Sequence, residues 1–194
     1  MEKNSQALAT ALLIMDIQSG TMQMTGENGP ALIKSLKAAI SAARKSSIPV
    51  IYVVVGFRKG LPEITSRTLN QSFGALKQGP VWPGIEDPGV DDSLTVEPGE
   101  MVVTKRRVSA FAGSDLEVIL RGHRIEHIVL AGIATSGVVL STLREAADKD
   151  YRITVLSDGC ADRDSEVHNV LLGKVFPRQA EVMTAAQWVA GLGK

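Results

Sequence analysis

The chain has one cysteine, Cys160, among 194 residues. A lone thiol cannot close an internal disulfide, so a reducing compartment is expected. Neither charge is in excess: 21 Lys plus Arg balance 21 Asp plus Glu. A nucleic-acid partner would need a basic stripe, and the balance argues against one. His123, His127 and His168 form neither HxH nor HExxH, and no Cys/His cluster accompanies them. A protein-ligated zinc or iron is therefore not expected, nor any other cofactor. No apolar run reaches the roughly 18 residues of a membrane span. The opening "MEKNSQALATALLIMD" lacks the apolar core and small-residue cleavage site of a secretory signal. The expected setting is the cytoplasm, with neither membrane nor nucleic acid as partner. The dinucleotide fingerprint, the P-loop and the GxSxG elbow are also missing.

What is present reads as one globular domain over 1–194, with 44% apolar and 22% charged residues. Apolar runs at 11–17, 48–57, 100–105, 127–132, 151–159 and 180–184 read as buried strands. Helical periodicity marks 31–46, 114–123, 136–149, 164–176 and the final "AAQWVAGL". Ser114 with Glu117 has capping-box spacing, and Asp164 or Ser165 is placed to cap the helix that follows. Strands apolar throughout, alternating with amphipathic helices, predict parallel strands covered on both faces. The expected fold is a three-layer α/β/α sandwich around a mostly parallel, about six-stranded Rossmann-like sheet. The loop-rich stretch 58–100, with "QGPVWPG" and "EDPG", is long for a connection and is expected to carry function or an oligomer contact.

Ligands of such sheets sit beyond the carboxyl ends of the strands. Four features fall there: Asp16, Lys105, the Gly132–Val138 loop and Asp158. Asp16, at the edge of an apolar run, is either a general acid/base, with Gln18 close by, or the cap of a following turn. Lys105 either pairs with Asp16, holds an anion or developing charge, or is a solvated strand end. Backbone N–H groups opening helix 136–149 suit an anion, and Thr135 and Ser136 read as caps because no base accompanies them. Cys160, flanked by Asp158 and Asp162, reads as structural rather than reactive.

Together, "LLIMDIQ", "VVTKRRVSAFAGSDLEVIL" and "IVLAGIATSGVVLSTLREAADKDYRITVLSD" resemble the isochorismatase-like hydrolases, also called cysteine hydrolases. The resemblance covers nearly the whole chain. It implies a six-stranded parallel sheet, a cis peptide before Ala134 and an Asp–Lys–Cys triad. Asp16 and Lys105 match the first two members. The third belongs to a motif similar to G-x-A-T-x-x-C-V-x-x-T. Gly132, Ala134, Thr135, Val139 and Thr142 fit it, and Val138 stands at the nucleophile's position. Valine cannot attack a carbonyl, so an acyl-enzyme is not available there. The Asp/His metal cluster of nicotinamidases has no counterpart in "GFRKGLPEITSRTLNQSFG", which lacks histidine.

Isochorismatases, as the resemblance implies, also carry a small residue in place of the thiol and begin by protonating a vinyl ether. The leading expectation is a hydrolase of this kind acting on a small molecule. Asp16 would be the general acid/base and Lys105 its orienting partner. The pocket and oxyanion loop are expected to comprise Gln18, Arg58, Arg107, Phe111, Ile133, Ala134 and Val138, with the arginines as anion contacts. Two other readings stand beside it: a catalytically silent binding or assembly protein on the same scaffold, and an amidase using Ser136 or Cys160. A homo-oligomer is expected, with "VFPRQAEV" and the Pro-rich 75–90 segment as candidate interfaces.

Overall fold

The computed structural model describes residues 9–65, 73 and 85–192. Six strands form one sheet in the order β3-β2-β1-β4-β5-β6, every neighbouring pair parallel. They are β1 (Thr10–Met15), β2 (Val50–Val55), β3 (Met101–Lys105), β4 (His127–Ile133), β5 (Arg152–Ala161) and β6 (Glu181–Met183). The helices are α1 (Ser19–Met22), α2 (Gly29–Lys45), α3 (Leu116–Gly122), α4 (Leu140–Asp148), α5 (Ser165–Val170) and α6 (Ala185–Gly191). This is the expected α/β architecture.

Alternation along β1 shows how the layers form, because successive side chains of a strand point to opposite faces. Leu12 and Ile14 pack with Leu32, Leu36, Ala39 and Ile40 of α2 and Trp188 of α6. Leu13 and Met15 join Leu116 and Leu120 of α3 and Leu143 and Ala146 of α4. Both faces are dry, so the strand reads as apolar throughout.

The strand order reverses between β1 and β4, which opens a crevice at their carboxyl ends. The two strands approach closely where Met15 pairs with Gly132. Gly132 has φ +155°, and a Cβ there would lie 2.2 Å from the Met15 carbonyl oxygen. Only glycine fits this position.

Several boundaries differ from the expected ones. β1 stops at Met15 because Asp16 turns to φ +54°, a region non-glycine residues rarely adopt. The helix expected from 136 opens instead as a π-type turn, Thr135–Val139, with Gly137 in a non-helical conformation (φ −98°, ψ −105°). Helix 164–176 is divided into α5, a π-type turn over Leu171–Val175 and a 3-10 turn over Phe176–Arg178. Asp164 caps α5 by accepting from the N–H groups of Glu166 and Val167. Asp115 holds the cap position of α3 without a side-chain cap bond, and it is the Ser114 hydroxyl, one residue earlier, that accepts from Leu116 N–H at 3.2 Å while donating to Ala110 O. The expected interface at 75–90 lies outside the described residues as far as 84. No helix among the described residues is long and apolar enough to cross a membrane.

Candidate active site

At the carboxyl ends of β1, β3 and β4 lies a cavity of about 530 Å³. Asp16, Lys105, Ile133, Ala134 and Val138 all line it, joined by Thr21, Met24, Val55, Val108, Ser136, Asp162 and Arg163. Asp16 arrives from the end of the central strand. Lys105 reaches it from β3, beyond β2, and its Nζ lies 2.9 Å from Asp16 Oδ2. Both side chains are buried, Lys105 at 2% exposure and Asp16 at 8%.

The ammonium has three protons, and three acceptors surround it. Besides Asp16, Lys105 Nζ donates to Arg107 O at 2.9 Å and Val108 O at 3.0 Å. Its donors are engaged, so binding a substrate anion would mean losing one of these bonds. Asp16 Oδ1 is buried and finds no hydrogen-bond partner among the described residues. Burial pushes the Asp16 carboxyl up to about 6, and the Lys105 charge and hydrogen bond only partly oppose this. Loss of hydration penalises the anion more than one neighbouring cation stabilises it.

The opposite wall is the turn after β4. The Ile133–Ala134 peptide is cis. Ala134 O accepts from the N–H of Gly137 (3.0 Å) and of Val139 (3.3 Å). Ser136 N–H donates to Asp162 Oδ2 at 2.7 Å. The buried Thr135 hydroxyl meets His168 Nδ1 at 2.8 Å, and Thr142 Oγ1 accepts from Ala110 N–H at 2.9 Å. Both threonines are thus supports for the turn. Val138, 2% exposed, brings only an aliphatic surface to the cavity.

Four of the expected pocket residues are placed elsewhere. Gln18 clamps β2, its Oε1 accepting from Val55 N–H at 2.9 Å and its Nε2 donating to Val55 O at 3.2 Å. Arg58, 70% exposed, pairs with Glu63 at 2.6 Å, and Arg107 donates to Glu63 O at 3.0 Å. Phe111 is a core residue stacked on Tyr151, their ring centroids 6.0 Å apart. Asp158 lies within β5 and holds α6, accepting from Ala185 N–H at 2.7 Å and the Ser35 hydroxyl at 3.1 Å. Cys160 does not line this cavity, and burial pushes its thiol up to about 12.

Sequence reasoning missed Arg163 and Asp162, which follow β5 and reach the cavity rim. Arg163 is exposed and makes no ion pair among the described residues, unlike Arg58. Its only sequence signal was position, just past a strand end. Among the described residues no group of three or more His, Cys, Asp or Glu could hold a metal ion.

The isochorismatase domain family matches residues 10–187. The chain is 31% identical over 182 residues to the uncharacterized isochorismatase family protein YwoC of Bacillus subtilis, covering 93% of this chain and 92% of that one. It is 31% identical over 169 residues to the ureidoacrylate amidohydrolase RutB of Pantoea ananatis, covering 77% and 68% respectively. An isochorismatase family protein of Burkholderia thailandensis superposes with a TM-score of 0.82 at 29% identity, over 96% of both chains. A β1–β4 crevice holding this buried Asp–Lys pair thus sits in a chain that, by sequence and by fold, belongs to the isochorismatase family.

Proposed function

We propose that the protein is a hydrolase acting on a small polar metabolite by Asp16 acid/base catalysis, with no covalent intermediate. The observation that carries this reading is the asymmetry of the Asp16 carboxyl. Oδ2 is fixed by Lys105, while Oδ1 has no hydrogen-bond partner among the described residues and belongs to a group lining the cavity. A carboxyl raised to about 6 holds a proton close to neutral pH, as a general acid must. Vinyl ether hydrolysis of the isochorismate type fits best. Asp16 gives its proton to the carbon of the double bond, and water adds to the resulting oxocarbenium centre and returns a proton to Asp16. The hemiketal then collapses to a carbonyl compound and an alcohol. Arg163 supplies the cation for an anionic substrate group, a role Lys105 is too fully bonded to take.

A second reading, a silent binding protein on this scaffold, has one observation in its favour. Val138 is almost fully packed, and Asp16 Oδ1 is itself buried. An amidase using Ser136 draws on the likeness to the ureidoacrylate amidohydrolase, but the adjacent Asp162 carboxylate accepts from the Ser136 backbone N–H, and no hydrogen bond among the described residues joins the Ser136 hydroxyl to a base.

The test is one substrate panel offered to wild type and Asp16→Asn: isochorismate, ureidoacrylate, N-carbamoyl amino acids and nicotinamide, followed by mass spectrometry. Turnover of the vinyl ether that disappears in the variant is the expected result. Amide turnover that survives Asp16→Asn would overturn it, and binding without turnover would favour the silent scaffold.

A further inference from the structure

Two buried polar residues beside Asp16, Gln18 and Thr21, take no part in the proposed chemistry. Their hydrogen bonds converge on the backbone that carries the carboxyl. The last backbone bond from β1 to β2 runs from Asp16 N–H to Val53 O at 2.7 Å. In a continuing strand the Asp16 carbonyl would accept from Val55 N–H and Gln18 N–H would donate to Val55 O. Here the chain has already bent, and the Gln18 side-chain amide takes both Val55 groups, accepting from N–H at 2.9 Å and donating to O at 3.2 Å. A side chain therefore completes the ladder that the backbone has left.

The bend itself is held by Thr21. Its hydroxyl stands against the Asp16 carbonyl oxygen in a short hydrogen bond, lies 2.9 Å from Gln18 O, and accepts from Gln18 N–H at 3.2 Å. Thr21 is 4% exposed and lines the cavity. The arrangement has the form of a helix cap, yet α1 has only four residues. A single turn gains little stability of its own from a cap. Asp16, by contrast, sits at φ +54°, which a non-glycine residue holds only when its surroundings fix it there.

We propose that Gln18 and Thr21 are positioning residues: together they lock the left-handed turn at Asp16, so that its carboxyl is kept against Lys105 and facing the cavity. Gln18 fixes where β1 ends relative to β2, and Thr21 fixes the direction in which the chain leaves. Without the hydroxyl the Asp16 peptide is released, the backbone relaxes toward a common conformation, and the carboxyl swings off Lys105 into water.

The inference rests on Asp16 being the reacting group, so its test is chosen to be readable without turnover. The side-chain carboxyl of Asp16 is titrated by carbon-13 NMR, assigned by its loss in Asp16→Asn. Wild type, Thr21→Ser and the isosteric Thr21→Val are compared. Wild type is expected to titrate near 6. In Thr21→Val the midpoint should fall toward the ordinary aspartate value by about one unit as the carboxyl regains hydration, and Thr21→Ser should restore it. If wild type turns over substrate, Thr21→Val should lose kcat by about tenfold or more with KM little changed. A wild-type titration curve in Thr21→Val, with only a lowered Tm, would overturn the proposal and leave Thr21 as a structural cap. Should Thr21→Val fail to fold, Gln18→Asn, which retracts the amide by one methylene, is titrated in its place with the same two outcomes. A shifted curve in a protein that hydrolyses nothing would uphold the positioning and remove the acid/base role.

Discussion

Lys105 Nζ sits 2.9 Å from Asp16 Oδ2 and gives its other two donors to Arg107 O and Val108 O. The lysine is thus bonded to the loop that follows its own strand as firmly as to the aspartate. It acts as a fixed positive charge behind Asp16 rather than as a hand for substrate. That division explains why the anion contact in the proposed mechanism falls to Arg163 at the rim.

The pH profile tests the acid role by its sign. If protonated Asp16 is the active form, kcat/KM is level below its pKa and falls as pH rises through about 6. A base role would give the mirror image, rising through the same value.

Lys105→Met removes the cation that opposes the desolvation of Asp16, so the Asp16 pKa should climb above 6 and the acid limb should move with it. Stranding one member of a buried pair typically costs about 3–5 kcal/mol. Urea unfolding should show that loss at about pH 8 and a smaller one at about pH 5, where the carboxyl is neutral.

Stability against pH should show two opposing groups. Asp16 has a folded pKa above its ordinary 3.8, so its contribution is complete below that value and is lost as pH rises through about 6. His127, held between the Thr10 and Thr154 hydroxyls, is pushed down to about 4 from 6.5, chiefly by burial. Its contribution is present above 6.5 and is lost as pH falls toward 4. The two windows overlap and their slopes oppose each other, so His127→Asn should leave Tm falling as pH rises from about 4 to about 6, and Asp16→Asn should leave Tm rising over the same range.

Gly132→Ala places a methyl group where the Met15 carbonyl oxygen stands. Overpacking at a positive-φ glycine between two central strands should destabilise the protein by about 3 kcal/mol or more. Denaturant unfolding measures this directly. Gly122→Ala, at the end of α3 with nothing within 4 Å of the added methyl, is the control expected to fold normally.

Val138→Cys puts a thiol where the family resemblance expects one. Wild type should resist alkylation, because Cys160 is buried with its thiol raised to about 12. The variant should take up a single iodoacetamide label, read as one mass increment: position 138 is as buried as Cys160 but shares its cavity with the Lys105 cation, which favours a thiolate, whereas Asp158 opposes one at Cys160. Labelling of wild type would mean that Cys160 is more accessible than its packing indicates.

Much of this was legible in the chain because burial leaves a simple trace. Strands covered on both faces read as unbroken apolar runs, and Asp16 and Lys105 were conspicuous as the charges that end such runs. The Gly132–Val138 turn was legible from its small residues. Geometry decided the rest. Arg58, Arg107 and Arg163 are alike in sequence, and only the fold shows Glu63 engaging the first two and leaving the third at the rim. Asp158 met the same strand-end criterion as Asp16, yet a register shift between Leu130 and Gly132 carries β5 on to Ala161 and leaves Asp158 holding α6. Gln18 was noticed for its proximity to Asp16, but its partner Val55 lies on another strand, which no local pattern discloses.

The strand order also bears on how the protein folds. Asp16, Lys105 and Ala134 come from strands that meet only when β1 has gained both β2 and β4 as neighbours and β3 has docked on the far side of β2. Until then each charge is hydrated and Asp16 titrates as an ordinary aspartate. Dehydration of the pair therefore requires long-range strand contacts, which loop-closure entropy opposes. A chain interrupted before β4 would keep the acid and the lysine in its sequence while having neither the dry carboxyl nor the cavity that gives it something to protonate.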